Sequence, residues 1–550
     1  MDNKLLLLWR YFPSGQVMIH NIAEKLEVST KQVNRYLKKW THEGWMLFTP
    51  GLGRGNFSSL EWLQHVEEVY ESMVLEKMEN EPLEAISKYL MFDWSYNSKM
   101  KLMTKFNSKI GYVHQSQDKL IVPKRHPFLT LHPLEAADAS SGNLIANVYN
   151  RLVSMTEHGE MVQELAHSWD VTPTKLRLYL KKDVKFHDGS ILTADDVVTC
   201  LEKLRIHKNY HHFWSPIEKI EAIAPLIVDL HYPGGCSYAL QMLSSMCASI
   251  YKEDKTKIYG TGGFIVEEDN LQKTSLVAFK EYFQERPLLD AVEFVRVPKD
   301  FNIIYHASTD EEKNPASQIE SDFGFAAVIM NPNRNSLIQK PKVRNYLRHL
   351  LVKNRNTMNQ YDSRSLPGQG SCMTGQQQEL DCPHVSRPSF EDPIIVRVAS
   401  HTETSSNWLI DTLKKDGIPI EIKHISFSES ANNDPAIQDV DLFMHGEVFE
   451  LSQELSFYNF LTNGFSPLSP ILTKNPYWVQ HLETYKHTPF SKWLPLILET
   501  EKKLIESSIM IPLFNEKKQI PLASHITNIS ISHFGYIDLS KLWLRPELNS

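Results

Sequence analysis

The clearest alternation of apolar and polar positions lies a third of the way along the chain. Leu176, Leu178, Leu180, Val184 and Phe186 recur on even positions among polar neighbours, which predicts a strand with one buried face. Asp188-Gly189 then turns the chain, because Gly accepts positive φ and Asp bonds its own backbone. Thr193 and Asp196 are spaced as a capping box, and Val197, Leu201 and Leu204 form the apolar stripe of the helix they start. Folding alone accounts for this strand, turn and helix, so the stretch predicts a scaffold element.

The first hundred residues follow a helical period instead. "NKLLLLWRYF" is one helix, and "NIAEKL" a second with Asn21 and Glu24 spaced as its cap. Ser29 and Gln32 repeat the cap for a third helix in which Val33, Leu37 and Trp40 face inward. Its outer face carries Lys31, Gln32, Asn34, Arg35, Lys38 and Lys39. Two short helices joined by a tight turn, the second basic and amide-rich, describe a helix-turn-helix whose second helix enters the major groove of double-stranded DNA. Arg, Asn and Gln suit base edges, and Lys suits phosphates. In "GWMLFTPGLGRGNFSSLEWL" two short strands flank a Gly-rich loop with Arg54 near its tip, the pattern of a wing that sets a cation beside the minor groove. A basic helix face alone is usually solvated surface; here the order of helix, helix, turn, helix and wing favours DNA. "GLGRG" has no βαβ unit around it, so it is not a dinucleotide loop.

From Glu61 to about Asn107 the pattern is helical and acidic. Leu63, Val66, Tyr70, Met73 and Val74 make one stripe, Pro82 interrupts, and Leu83, Ile86 and Leu90 make another. This reads as core or dimer packing, a connector that could also hold two subunits together as a homodimer. After about Val113 short strands and helices mix without a repeat. The expected organisation is a winged helix-turn-helix over 1–62, an acidic helical connector over 63–112 and a ligand-sensing unit over 113–550.

Charge sharpens this division. The 550 residues carry a net charge of -8, yet residues 1–60 hold eight Lys and Arg against four acids, and residues 61–98 hold nine acids against two Lys. A basic unit therefore sits beside an acidic one. Five cysteines, Cys200, Cys236, Cys247, Cys372 and Cys382, are odd in number and irregular in spacing, which fits a reducing compartment. The apolar run near the N-terminus is shorter than a secretory signal, and no run is long enough to cross a bilayer. The expected location is cytoplasmic, with no membrane partner.

The segment holding "VYNRLV", the "HGE" turn, "LAHSW" and above all "VKFHDGSILTADDV" closely resembles the start of the family 5 extracellular solute-binding proteins, the peptide- and nickel-binding class. "YGTGGFIVEE" followed by "EYF", then "VIMNPNRNSLIQKPKVRNYLRHLL", then "IMIPLF" resemble later segments in the right order, over about four fifths of the chain. His132, Gln163 and Gly263 depart from the common pattern at loop positions. A winged helix fused to such a unit, ending in "HFGYIDLSKLWL", resembles the SgrR family of bacterial transcription regulators. The resemblance implies a multidomain α+β and α/β chain, with a two-lobed, type II periplasmic-binding-protein-like domain that closes around a ligand. It also implies a response to sugar-phosphate stress and control of sugar-transport genes, and RNA polymerase as a further partner.

A cleft for sugars or peptides uses aromatic platforms and a few hydrogen-bonding groups. Tyr149, Trp214 and Trp408 are the candidates, although such residues are core more often than pocket. His207, His211 and His212, and Cys372, Cys382 and His384, lack the two-to-four-residue spacing of structural zinc pairs, so no metal or other cofactor is expected. Asp188 and Asp196 are explained by the turn and the cap, and no motif of a hydrolase, phosphate loop or zinc protease occurs. The expected protein is not an enzyme but a DNA-binding regulator sensing a small polar metabolite: a sugar, sugar phosphate or peptide. The rival is a cytoplasmic solute-binding module whose N-terminal unit docks a protein partner.

Overall fold

Six segments of the first sixty-odd residues take regular structure in the computed structural model, beginning with α1 (Asn3–Tyr11), β1 (Gly15–Val17), α2 (Ile19–Leu26) and α3 (Thr30–His42). They continue with β2 (Met46–Thr49) and β3 (Ser58–Trp62), paired antiparallel in the order β1-β3-β2. The structure describes residues 1–550 except 52–56, 108–109, 115–117, 157–158, 256, 299–316, 363–364, 381–384, 433–438, 523–525, 531–532 and 545–550. Val33, Leu37 and Trp40 are buried beneath α3, together with Ile22, Ala23 and Leu26 of α2. Ser29 caps α3 by accepting the Gln32 amide at 3.3 Å, and Glu27 ends α2 in the left-handed region at φ 53°. Two details differ from the sequence pattern. Strand β1 is only three residues long, too short for periodicity to reveal. Helix α2 begins at Ile19 with no side-chain cap, so Asn21 and Glu24 lie within it; burial of Ile22, Ala23 and Leu26 fixes its position.

The connector is three helices, α4 (Val66–Asn80), α5 (Leu83–Leu90) and α6 (Tyr96–Asn107). Val66, Tyr70, Val74 and Met78 of α4 are buried. Leu63 and Met73 are 51% and 38% exposed, a correction to the expected stripe: Leu63 precedes the helix, and Met78 completes the inward face. Pro82 stands at the N-cap of α5, whose Leu83, Ile86 and Leu90 are buried as the pattern requires.

Next comes the hairpin β4 (Gly111–His114) and β5 (Asp118–Lys124), inside whose first strand the expected boundary at 113 falls. β5 pairs in parallel with Ala291–Arg296 inside a five-stranded sheet. Ile121, Val295 and Val297 of that sheet join the apolar cluster that runs through α1 to α6. Winged helix, connector and sheet thus share one continuous core.

Beyond it, Ala166–Val171, Lys175–Leu180, Lys219–Ala224 and Ile227–His231 form a four-stranded antiparallel sheet. Leu176, Leu178, Leu180, Val184 and Phe186 are all buried, and both hydrogen bonds of the Thr193–Asp196 capping box are present. A six-stranded sheet, including Ser317–Met330, Ile394–Ala399, Leu442–Val448 and Met510–Leu522, makes the second lobe. One face of it carries its own core, with Val396, Val398, Trp408 and Leu409. Residues of the other face, Phe325, Ala327, Ile329 and Phe443, belong to the large core shared with the first lobe. No helix among the described residues is long and apolar enough to cross a membrane.

Candidate functional site

Helix α3 separates its residues cleanly. Lys31, Gln32, Asn34, Arg35, Lys38 and Lys39 are all exposed, on the side opposite Val33, Leu37 and Trp40. Gln32 Nε2 donates to the Tyr36 hydroxyl at 3.3 Å, and Tyr36 stacks on Trp40 at 5.1 Å. Lys39 Nζ lies 3.6 Å from Asp2 and 3.9 Å from Glu43, solvated pairs worth little. The helix therefore presents a polar, largely cationic face held on a rigid apolar base. Arg54 lies outside the described residues.

The family-like motifs of the first lobe meet in one buried network. After α7 (Ala139–Val148), the Val148 carbonyl accepts the Gly262 amide at 2.9 Å. Asn150 Nδ2 donates to Glu164 Oε1 at 2.7 Å and to the Tyr282 hydroxyl at 3.1 Å, and Thr261 Oγ1 donates to Asn150 Oδ1 at 3.1 Å. His187 Nε2 lies 3.0 Å from the Gly262 carbonyl, and its Nδ1 accepts the Gly260 amide at 3.3 Å. Burial lowers the His187 pKa to about 4, so the imidazole is neutral and donates from Nε2. Asp188 accepts the Ser190 amide at 2.9 Å and its hydroxyl at 2.6 Å. These groups hold backbone in place; none is among the residues lining the cavity between α7 and the second-lobe sheet.

The cavity lies elsewhere, about 340 Å3 in volume, between the start of α7 and the cleft face of the second-lobe sheet. Asp138, Ser140 and Gly142 line one side; His401, Phe427, His445, Glu447 and Glu450 line the other, with Tyr210 and Phe460 between them. Asp138 caps α7 by accepting the Ser140 and Ser141 amides at 3.0 Å. Glu450 accepts the Met246 amide at 3.1 Å, a direct bridge between lobes. His445 Nε2 is 3.2 Å from Glu447 Oε2, and its ring stacks on Phe460. Lys124, hydrogen-bonded to Ser140, is lowered to about 8 chiefly by burial. Phe534 and Tyr536 of the C-terminal segment also line this cavity; a Cβ on Gly142 would lie 2.4 Å from the Phe534 ring.

Residues 3–117 match the family described as sugar transport-related sRNA regulator N-term, and residues 160–344 match bacterial extracellular solute-binding proteins, family 5 Middle. The HTH-type transcriptional regulator SgrR of Pectobacterium atrosepticum is 22% identical over 577 residues, spanning 99% of both chains. The one of Photorhabdus laumondii is 23% identical over 576 residues, again 99% of both. The chain belongs to the SgrR family. Its fold is that of solved binding proteins: a dipeptide binding protein from Pseudoalteromonas sp. in complex with Met-Leu superposes with TM-score 0.66 at 15% identity, over 78% of this chain and 100% of that one. The oligopeptide-binding protein AppA from Bacillus subtilis, in complex with a nonapeptide, gives 0.65 at 17%, over 78% and 99%.

Within this SgrR-family chain the three aromatic candidates are all fully buried. Trp408 sits in the second lobe's own core, donates to Thr357 Oγ1 at 2.9 Å and packs edge-on against Phe514. Tyr149 donates to the Leu131 carbonyl at 2.8 Å, and Trp214 is 0% exposed. None of the three lines the cavity. Pattern reading singled out large aromatic residues near loops, and burial accounts for them. It passed over His401, His445, Glu447 and Glu450, because scattered single His and Glu carry no spacing signal. Cys382 and His384 lie outside the described residues, and among the described residues no group of three His, Cys, Asp or Glu side chains could hold a metal ion.

Proposed function

We propose that the chain regulates transcription by reading double-stranded DNA with α3 while a small polar metabolite occupies the cleft between α7 and the second-lobe sheet. The observation that carries this reading is the α3 face: six adjacent polar side chains exposed above three buried ones, in the order of elements that places such a helix in the major groove. The relatives' name, HTH-type transcriptional regulator, supports the same reading. The metabolite is a sugar, sugar phosphate or peptide, and the genes governed are those of transport or sugar stress. The protein acts in the cytoplasm, on RNA polymerase at promoters, with the connector available to pair two copies. Its work is binding rather than catalysis.

The test is to select duplexes from a random-sequence pool with the full-length chain and measure affinity against salt. Each phosphate neutralised contributes about -0.9 to the slope of log K on log salt, so a steep slope is expected. Asn34→Ala with Arg35→Ala should lose about 1–3 kcal/mol per base contact while melting as the parent does. A flat salt response, or a double variant that binds like the parent, contradicts the reading.

A further inference from the structure

Two stretches of chain meet where the lobes join: residues 209–246 on the first-lobe side, and residues 450–493, which run between the second-lobe strands Leu442–Val448 and Met510–Leu522. Aromatic rings fill the junction. Tyr238 packs on Tyr458 at 5.4 Å and on Trp493 at 5.2 Å between ring centres, and Phe213 lies 5.9 Å from Tyr458. None of the four is more than 2% exposed. Backbone joins beside them. The Ser237 amide donates to the Lys486 carbonyl at 2.8 Å, and the Ser237 hydroxyl to the Tyr485 carbonyl at 2.9 Å. The Gly464 amide donates to the Asn209 carbonyl at 2.7 Å, and a Cβ on Gly464 would lie 2.8 Å from the Asn209 Cα. With the Met246 amide on Glu450, the junction has an apolar core and paired backbone together. Separating the lobes would wet about 600–1,000 Å2 of ring surface, at about 150–250 Å2 per ring, and strip partners from these donors. Domains move freely against each other unless the interface is large and apolar; this one is.

Another wall of the cavity is held differently. Ile537, Leu539 and Leu542 anchor the C-terminal segment in the large core, while the turn before them brings Phe534 and Tyr536 to the cavity. Phe534 and Gly535 stand at φ 57° and 65°, and the left-handed region is unfavourable for a phenylalanine. What seats the turn is the Phe534 ring, lying where Gly142 has no side chain: a Cβ there would be 2.4 Å from the ring. A strained turn seated by a ring in a glycine notch has two natural positions, ring in and ring out.

We propose that the two lobes are fastened as one rigid body, and that the turn Phe534–Tyr536 is the movable flap through which ligand enters and leaves the cleft. Ligand then acts on this flap and on α7 beneath it, rather than by drawing two lobes together. The inference goes beyond the regulatory reading and concerns how the cleft is reached, whatever occupies it.

The test uses the full-length protein without ligand or DNA, so its failure is separate from a failure of the regulatory reading. Native-state hydrogen exchange in rising sub-denaturing urea reads the joining amides of Ser237, Met246 and Gly464. They should exchange only with the core-strand amides of Leu178 and Leu180, through global unfolding; exchange through a smaller opening of their own overturns the fastening. Maleimide labelling of Cys247, which lines the cavity, reads the flap. Phe534→Ala should label Cys247 at least about tenfold faster than the parent, while Cys236 and Cys372, buried away from the cavity, label at the parent's rate. Should Phe534→Ala fail to melt cooperatively, Gly142→Ala, whose methyl takes the ring's place, should speed the same labelling. A folded variant that labels Cys247 at the parent's rate, or one that accelerates all three thiols equally, overturns the flap.

Discussion

His187 shows how a single side chain in a readable motif can have a consequence that the motif does not announce. Its neutral ring bridges Gly260 and Gly262, and burial holds its pKa near 4 against an ordinary 6.5. Between those values the unfolded chain binds a proton that the folded chain does not, so folded stability is full above about pH 6.5 and falls as pH drops toward 4. The slope from this one group is about 1.4 kcal/mol per pH unit. His187→Gln should remove it, seen as a shallower dependence of unfolding free energy on pH between about 4.5 and 6; an unchanged slope would mean that His187 is protonated in the fold. At this scale the sequence was legible where neighbours in the chain are neighbours in space, as for Ser29 with Gln32, Asp188 with Ser190 and Thr193 with Asp196. It was not legible for His401, His445 and Tyr210, which lie on separate segments and acquire meaning only when the fold brings them to one cavity. The exposed face of α3 was readable because one helical period decides it.

At the scale of elements, the two glycines facing Val148 explain why the Tyr259–Gly263 stretch has the form it does. A Cβ on Gly260 would lie 2.0 Å from the Val148 carbonyl oxygen, and one on Gly262 would lie 2.4 Å from the Val148 carbonyl carbon. Backbone approaches backbone there, because the Gly262 amide bonds the same carbonyl. Gly262→Ala should therefore cost about 3 kcal/mol or more, lowering the urea midpoint sharply. Gly375→Ala meets no atom within 4 Å, although its φ of +76° still strains the new residue, and should cost less. Equal losses would show that the close approach does not matter. Strong periodicity located the strand at Lys175–Leu180 and the helix Ala194–Arg205. It failed for β1, which pairs with β3 over only three residues, and it set the start of α2 two residues late, since a cap-like pair is a weaker signal than the apolar stripe. In α4 the expected stripe included Met73, which points to solvent, because several phases fit so acidic a helix.

Across the whole molecule, the question is how a cleft in the second half reaches a helix in the first. Asp2 donates its amide to the Tyr70 hydroxyl at 3.0 Å, and Arg10 pairs with Asp93 at 2.9 Å, tying α1 to the connector. Lys273 lies 3.8 Å from Glu84, and Ile86 shares a cluster with Val295 and Val297. The same five-stranded sheet ends at Lys124, which bonds Ser140 at the cavity rim. A continuous packed path therefore runs from α3 through α4 and α5 to the start of α7. The change from helical to mixed strand-and-helix pattern after about residue 107 was legible from period; the shared core was not, since Ile121, Val295 and Val297 look like any strand residues in sequence. If the path couples the units, linkage requires that duplex and ligand influence each other by the same factor. The most direct measurement is amide hydrogen exchange of the full-length chain with and without its selected duplex. The account predicts altered protection in α3, in α4 and α5, in Ala291–Arg296, and at the cavity around residues 138–142. Changes confined to residues 1–62 would contradict it.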